Sequence, residues 1–211
     1  MKHPQPRSHA VSAVLALALA APLLQGCIPL IAGGVAAGAI AASDRRSLGT
    51  QTDDKAIGFN VDKAINDVYH DRAHVNVNPY NHRVLLTGEV PDEKARADVA
   101  RIAAGVDNVR EVLNEVQVGI NSTIAARSND AVITSIVKGN MVDDAAVPAA
   151  VIKVTTEANV VYLQGMVTRQ EADAASAAAA RSRGVSQVVR VFEYIAEAPR
   201  APAGDNKPPA K

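Results

Sequence analysis

The sequence predicts an α+β fold built twice over: two tandem αββαβ units, each holding a small three-stranded mixed sheet and two helices. Three observations carry this. The apolar residues recur along the chain at a nearly fixed offset, which marks an internal duplication. Within each repeat the apolar period switches between helical and alternating. Gly, Pro or Asn punctuates the switches. Asp54, Ile57, Val61 and Ile65 recur 76 positions later as Asp130, Ile133, Val137 and Met141. Gly88, Val90, Ala95 and Ala97 recur 77 positions later as Gly165, Val167, Ala172 and Ala174. After a two-residue insertion, Gly105, Val106, Val109 and Val112 recur as Gly184, Val185, Val188 and Val191.

Each unit opens with an Asp followed by apolar residues 3, 7 and 11 positions on. Asp is a good N-cap and that spacing draws one helical stripe, so a first helix is expected from Asp54 and from Asp130. Two strands follow, His74–Val77 and Val84–Val90 in the first unit, Ile152–Thr155 and Val160–Val167 in the second. Asn81-His82 and Ala158-Asn159 supply the turns between them. A second helix is expected from Pro91, as its first residue, or from Thr168, as its cap, ending at Gly105 or Gly184. The closing strands are Val109–Val118 and Val188–Ile195. A unit of this size buries a core only marginally by itself. The Ala-rich second helices lie close to a sheet, and the two units are expected to pack on each other.

Outside the repeats the chain has a different character. Lys2, His3 and Arg7 precede an apolar run from Ala10 to Leu24, the pattern of a secretory signal that takes no part in the fold. Cys27 is the only cysteine. Leu24-Gln25-Gly26-Cys27 resembles the lipobox of bacterial lipoproteins, which implies that Cys27 becomes an acylated N-terminus bearing three acyl chains. At roughly 0.8 kcal/mol per buried CH₂, such an anchor is effectively permanent. A stray buried cysteine or a retained membrane helix are the alternatives. The second fits poorly: Ile28 to Ala42, joined to the preceding run, overshoots the ~20 residues of a span, and alone it falls short. Ile28, not Asp, follows the cysteine, and the lipoprotein resemblance then implies the outer membrane, with the protein facing the periplasm. The expected organisation is residues 1–26 as signal segment, 27–52 as acylated N-terminus and linker, 53–119 as first unit and 120–127 as linker. Residues 128–196 form the second unit, and 197–211, rich in Pro and Ala, a disordered tail.

Composition narrows the function. Without residues 1–26 the chain keeps 20 basic and 22 acidic groups, too balanced for a polyanion binder that relies on gross charge. Aromatics are 3% and Trp is absent, which argues against stacking on bases or sugars. His70 and His74 are four apart, but no third ligand has metal spacing, so both read as surface residues. Ser128 and Ser135 lack a base and an orienting acid. Gly88 and Gly165 are lone strand glycines, suited to a bulge or a close backbone approach rather than a phosphate loop. Asp53/Asp54, Asp92/Glu93 and Asp143/Asp144 fall at expected helix starts or loops. Nothing reads as an enzyme; no metal, cofactor, nucleic acid or small-molecule substrate is expected.

The segments Val84-Leu85-Leu86-Thr87-Gly88 to Gly105-Val106, and Val161-Tyr162-Leu163-Gln164-Gly165 to Gly184-Val185, resemble the BON domain: strand, Gly, helix, Gly-Val, strand. Two such units behind a lipobox are similar to the dual-BON outer-membrane lipoproteins of Gram-negative bacteria. The likeness extends to Leu23-Leu24-Gln25-Gly26-Cys27, Ser128-Asn129-Asp130, Val154-Thr155-Thr156-Glu157 and Gly165-Met166-Val167-Thr168, and covers most of residues 23–195.

Function is then sought where the two units differ. The first, residues 53–119, carries 8 basic and 12 acidic residues; the second, residues 128–196, carries 6 and 7 and repels an anionic surface less. In the first helix Ala56 becomes Val132, Asn60 becomes Ile136, Lys63 becomes Gly139 and Asp62 becomes Lys138. Val132, Ile136 and Gly139 lie along one shoulder of the core stripe, so the second unit's stripe is wider than its own sheet requires. Either this shoulder meets the neighbouring unit or it meets a membrane. The resemblance implies the second: an anionic phospholipid site on Val132, Ile133, Ile136, Lys138 and Gly139. Two features weaken such a site. No aromatic wedge stands at Val132, and Lys138 lies about 120° around the helix, where it reaches a headgroup only by snorkelling. The functional expectation is a non-enzymatic outer-membrane lipoprotein that binds anionic phospholipid and supports envelope integrity at division sites. The rival expectation is a periplasmic adaptor that binds envelope proteins, such as outer-membrane assembly machinery or the control of septal peptidoglycan hydrolases.

Overall fold

The structure is a computed structural model and describes residues 44–196. Cys27, the apolar segments flanking it and residues 197–211 lie outside the described residues. The first unit runs α1 (Leu48–Tyr69), β1 (His74–Tyr80), β2 (Arg83–Val90), α2 (Glu93–Ala104), β3 (Glu111–Asn114) and β4 (Gln117–Val118). The second runs α3 (Ile124–Val142), β5 (Ile152–Glu157), β6 (Val160–Val167), α4 (Arg169–Ala180) and β7 (Gln187–Tyr194). In each, a hairpin supplies two antiparallel strands, and the helix after it carries the chain back to a closing strand parallel to the middle one.

The repeated apolar stripe is the core. Ile57, Val61, Ile65 and Tyr69 of α1 pack with Val84, Leu86 and Val90 of β2 and Ala95, Val99 and Ala103 of α2. Ile133, Val137 and Met141 of α3 pack with Val161, Leu163 and Val167 of β6 and four buried alanines of α4. Alanine at Ala172, Ala175, Ala178 and Ala179 keeps the helix close to its sheet.

The helix starts differ from the expectation. Asp54 and Asp130 are not caps: α1 begins at Leu48, capped by Ser47, and α3 at Ile124, capped by Thr123. Both helices therefore enter segments read as linkers. Asp54 and Asp130 sit a turn or more inside, buried, each clamping the turn of the following hairpin. Asp54 accepts the backbone N–H of Asn81 at 2.7 Å and of His82 at 2.8 Å. Asp130 accepts those of Ala158 at 3.0 Å and Asn159 at 2.9 Å. Both central residues of each turn have positive φ, between 50° and 63°. That is the geometry of two-residue hairpins matched to strand twist.

Other boundaries moved for local reasons. Helix α2 is capped by Asp92, whose side chain accepts the N–H of Ala95, so Pro91 precedes the cap instead of opening the helix. It ends at Gly105 as expected. Thr168 caps α4 in a reciprocal capping box with Glu171, but α4 ends at Arg181, and Gly184 serves a later turn at φ 90°. The first unit's closing strand is broken into β3 and β4, both paired with β2. Val116 turns into the core there, fully buried, and its N–H is taken by the side chain of Asn114 at 3.3 Å. Gly88 and Gly165 do mark close approaches. A Cβ on Gly88 would stand 2.0 Å from the His74 carbonyl oxygen, and one on Gly165 2.9 Å from that of Val151.

The open faces of the two sheets meet. Leu85 of the first unit is buried in one cluster with Tyr162 and Val191 of the second. Strands β2 and β6 are thus covered on both sides, which is why Val84–Leu86 and Val160–Leu163 are continuous apolar runs instead of alternating ones. Tyr80 crosses the boundary: its hydroxyl donates to the Val151 carbonyl at 3.2 Å and accepts the Met166 N–H at 3.3 Å. Asn81 donates to Glu193 at 2.9 Å, and Gln164 to the Asn78 carbonyl at 3.1 Å. Arg45, from the segment ahead of α1, forks onto Glu171 of α4 at 2.7 and 2.8 Å. The stretch read as a spacer is partly a strap between units.

Candidate functional site

Helix α3 is packed on its own sheet through Ile133, Val137 and Met141, which leaves its remaining circumference for other contacts. Val132 is 57% exposed, so it is not buried against the first unit. Ile136 is half-buried and Gly139 is exposed. A Cβ on Gly139 would meet nothing within 4 Å, so no neighbour requires glycine there. Ile133 leaves the candidate set: it is 2% exposed, held against Gly184 under the helix, where no membrane surface reaches it. Val132, Ile136 and Gly139 form an open apolar shoulder with the small Ala125 in line.

Lys138 lies on the other flank, as its helical angle requires. There it lines a groove of about 540 Å³ together with Arg127, Lys153, Thr134 and Thr155. Lys153 stands on β5, its ammonium donating to the Pro79 carbonyl at 3.3 Å. Burial, aided by the charges of Arg46 and Lys138, pulls its pKa down to about 8. Sequence reasoning missed Lys153, because its partner Pro79 comes from β1 of the other unit, 74 residues away.

The first unit's helix is less polar than the comparison of the two units suggests. Phe59 and Leu48 are each 70% exposed on α1. Both lie well away from the core stripe of that helix.

At the far end of the groove, His74, Glu89 and Glu157 converge. His70 and His74 do not share a helix face: His70 follows α1 in a short 3₁₀ turn and His74 opens β1, its side chain mostly enclosed. Glu157 is buried, and burial, with the charge of Glu89 beside it, raises its carboxyl pKa. Ser122 brings a hydroxyl to 3.4 Å from His74, next to Glu89 at 3.2 Å, which has the parts list of a nucleophilic triad. Both contacts fall on the same ring nitrogen, Nδ1. An imidazole oriented by an acid through one nitrogen needs the other for the serine, so this set does not form an activated nucleophile. Ser128 and Ser135 are exposed on α3, and Ser135 donates back to the Ala131 carbonyl.

Among the described residues no helix is long and apolar enough to cross a membrane. The family profile of the BON domain matches residues 53–120 and again 129–196. The outer membrane lipoprotein DolP of Haemophilus influenzae is 39% identical over 184 residues, 86% of this chain and 95% of that one. The 21 kDa hemolysin of Actinobacillus pleuropneumoniae is 35% identical, covering 72% of this chain and 79% of its own. Osmotically-inducible protein Y of Escherichia coli is 29% identical, over 69% and 75%. With a matched profile in each half and a duplicated fold that follows it, the chain belongs to the BON-domain family as a two-domain member similar to DolP.

Proposed function

We propose that this chain is a non-enzymatic outer-membrane lipoprotein, anchored through acylated Cys27 and facing the periplasm. In this reading its second BON domain recognises anionic phospholipid through the exposed shoulder of α3, and this recognition supports envelope integrity at division sites. The observation that carries it is Val132, 57% exposed on a helix whose core stripe is already satisfied without it. Ile136 and Gly139 extend the same shoulder, and Gly139 lets a flat surface come close to the helix backbone. Arg127 and Lys138 stand on the opposite flank and reach headgroups only by snorkelling; at about 1 kcal/mol each near an anionic surface they contribute too little for stable binding without the anchor. The anchor therefore supplies location, and α3 selects among lipids.

The test is vesicle flotation of the full chain carrying Cys27→Ala, so that no acyl chain assists. Binding is expected to vesicles containing anionic lipid and not to neutral ones. The double variant Val132→Asp, Ile136→Asp, with its melting temperature checked, is expected to lose it. Flotation independent of anionic lipid, or surviving the double substitution, ends this reading. The rival adaptor reading rests on the stretch joining the units, where Ile120 is 95% exposed and Ile124 78%. Retention of a defined envelope protein that Ile120→Asp abolishes would favour it.

A further inference from the structure

Three ligating side chains that are far apart in sequence meet where the two sheets face one another. His74 and Glu89 are register partners across β1 and β2, and Glu157 ends β5 of the second domain. One ligand atom from each lies within 4.8 Å of the other two, and His74 Nδ1 is 3.2 Å from Glu89 Oε2. A tetrahedral zinc with bonds near 2.1 Å spaces its ligand atoms about 3.4 Å apart, so the His–Glu pair already stands at that separation.

The surroundings suit a cation. Glu157 is 7% exposed, and its Oε2 accepts Asn76 at 2.6 Å and Thr87 at 3.2 Å. Glu89 Oε2 accepts the Ser122 N–H at 3.0 Å. Both carboxylates are thus oriented by donors that are not themselves ligands, as metal ligands usually are, and each retains free lone pairs. Among the described residues His74 is the one basic side chain within 4.0 Å of Glu89, and none lies that close to Glu157. The groove beside them, which His74 and Glu157 line, gives an ion a way in.

We propose that His74, Glu89 and Glu157 form a zinc site, with water in the fourth position, that clamps the two BON domains together. Imidazole with carboxylates is a donor set for zinc rather than for calcium or magnesium, which take oxygen alone. Two ligands come from one domain and one from the other, so binding and domain docking are coupled. The site is independent of the α3 shoulder and of the lipid reading.

The experiment is calorimetric titration of Zn²⁺ into the full chain carrying Cys27→Ser, which removes the one competing thiolate, alongside thermal unfolding with zinc and with chelator. One zinc per chain is expected to bind tightly and to raise Tm by about 5 °C or more at saturation. His74→Arg places a positive side chain beside Glu89 but has no lone pair for a metal. It is expected to stay folded and to lose tight zinc binding by at least about tenfold. If that variant misfolds, the isosteric Glu89→Gln serves in its place with the same expectation. Equal zinc affinity in parent and variant, or a parent Tm that zinc leaves unmoved, overturns the proposal.

Discussion

Asp130, in the interior of α3, takes the backbone N–H of Asn159 at 2.9 Å and so ties the β5–β6 turn to the helix that carries the exposed shoulder. Its carboxylate also holds Ala158, and the arrangement is repeated by Asp54 on Asn81 and His82. Asp130→Ala leaves two backbone donors of a positive-φ turn without their charged acceptor. A loss of about 3 kcal/mol is expected, measured by urea unfolding. Ala158→Gly should act oppositely, adding about 0.5–1 kcal/mol, because alanine at φ 50° is strained where glycine is not.

Glycine has opposite meanings at two places. Gly88 sits at φ 110° with the His74 carbonyl where its Cβ would be. Gly88→Ala is expected to cost about 3 kcal/mol or more, or to prevent folding. Gly139→Ala meets open space on a helix and should add about 0.5–1 kcal/mol. Thermal melts of the two variants check the contrast.

Lys153 predicts a pH dependence. Its folded pKa of about 8 lies below its ordinary 10.5. Between those values the unfolded chain keeps a proton that the folded one has released, so stability gains with rising pH across that window. Lys153→Met should flatten the stability curve there, as read by urea unfolding at pH 7.5, 9 and 10.5. A slope unchanged in the variant would locate the effect elsewhere.

On the acid side, the Arg45 guanidinium, hydrogen-bonded to Glu171, holds that carboxyl down at about 2 against an ordinary 4.5. The folded pKa is the lower one, so this contact contributes fully above pH 4.5 and fades as pH falls towards 2. Arg45→Ala should destabilise the protein by about 1 kcal/mol at pH 7 and by less at pH 3, measured as Tm against pH.

Sequence reasoning carries a long way where structure is local. The core stripes Ile57–Val61–Ile65 and Ile133–Val137–Met141 are sums over near neighbours, and so are the turns at Asn81-His82 and Ala158-Asn159 and the cap at Thr168. Spacing alone exposes them. The shoulder of Val132, Ile136 and Gly139 was visible in the same way, because a helical angle needs no partner. The error at Asp54 and Asp130 has the same origin. Read locally, an Asp before an apolar stripe is a cap; its real partners lie 27 to 29 residues ahead.

By itself, then, the sequence determined the duplication, the order of elements and the faces that each helix and strand must bury, since these follow from backbone periodicity and the transfer of apolar surface from water. Tertiary structure alone decided that the sheets join face to face through Leu85 and Tyr162, that Ile133 is hidden while Val132 is open, and that His74 meets Glu157 across the boundary. Those outcomes depend on how two separately closed units dock. Docking is set by shape and polar matching between residues that no short-range pattern connects.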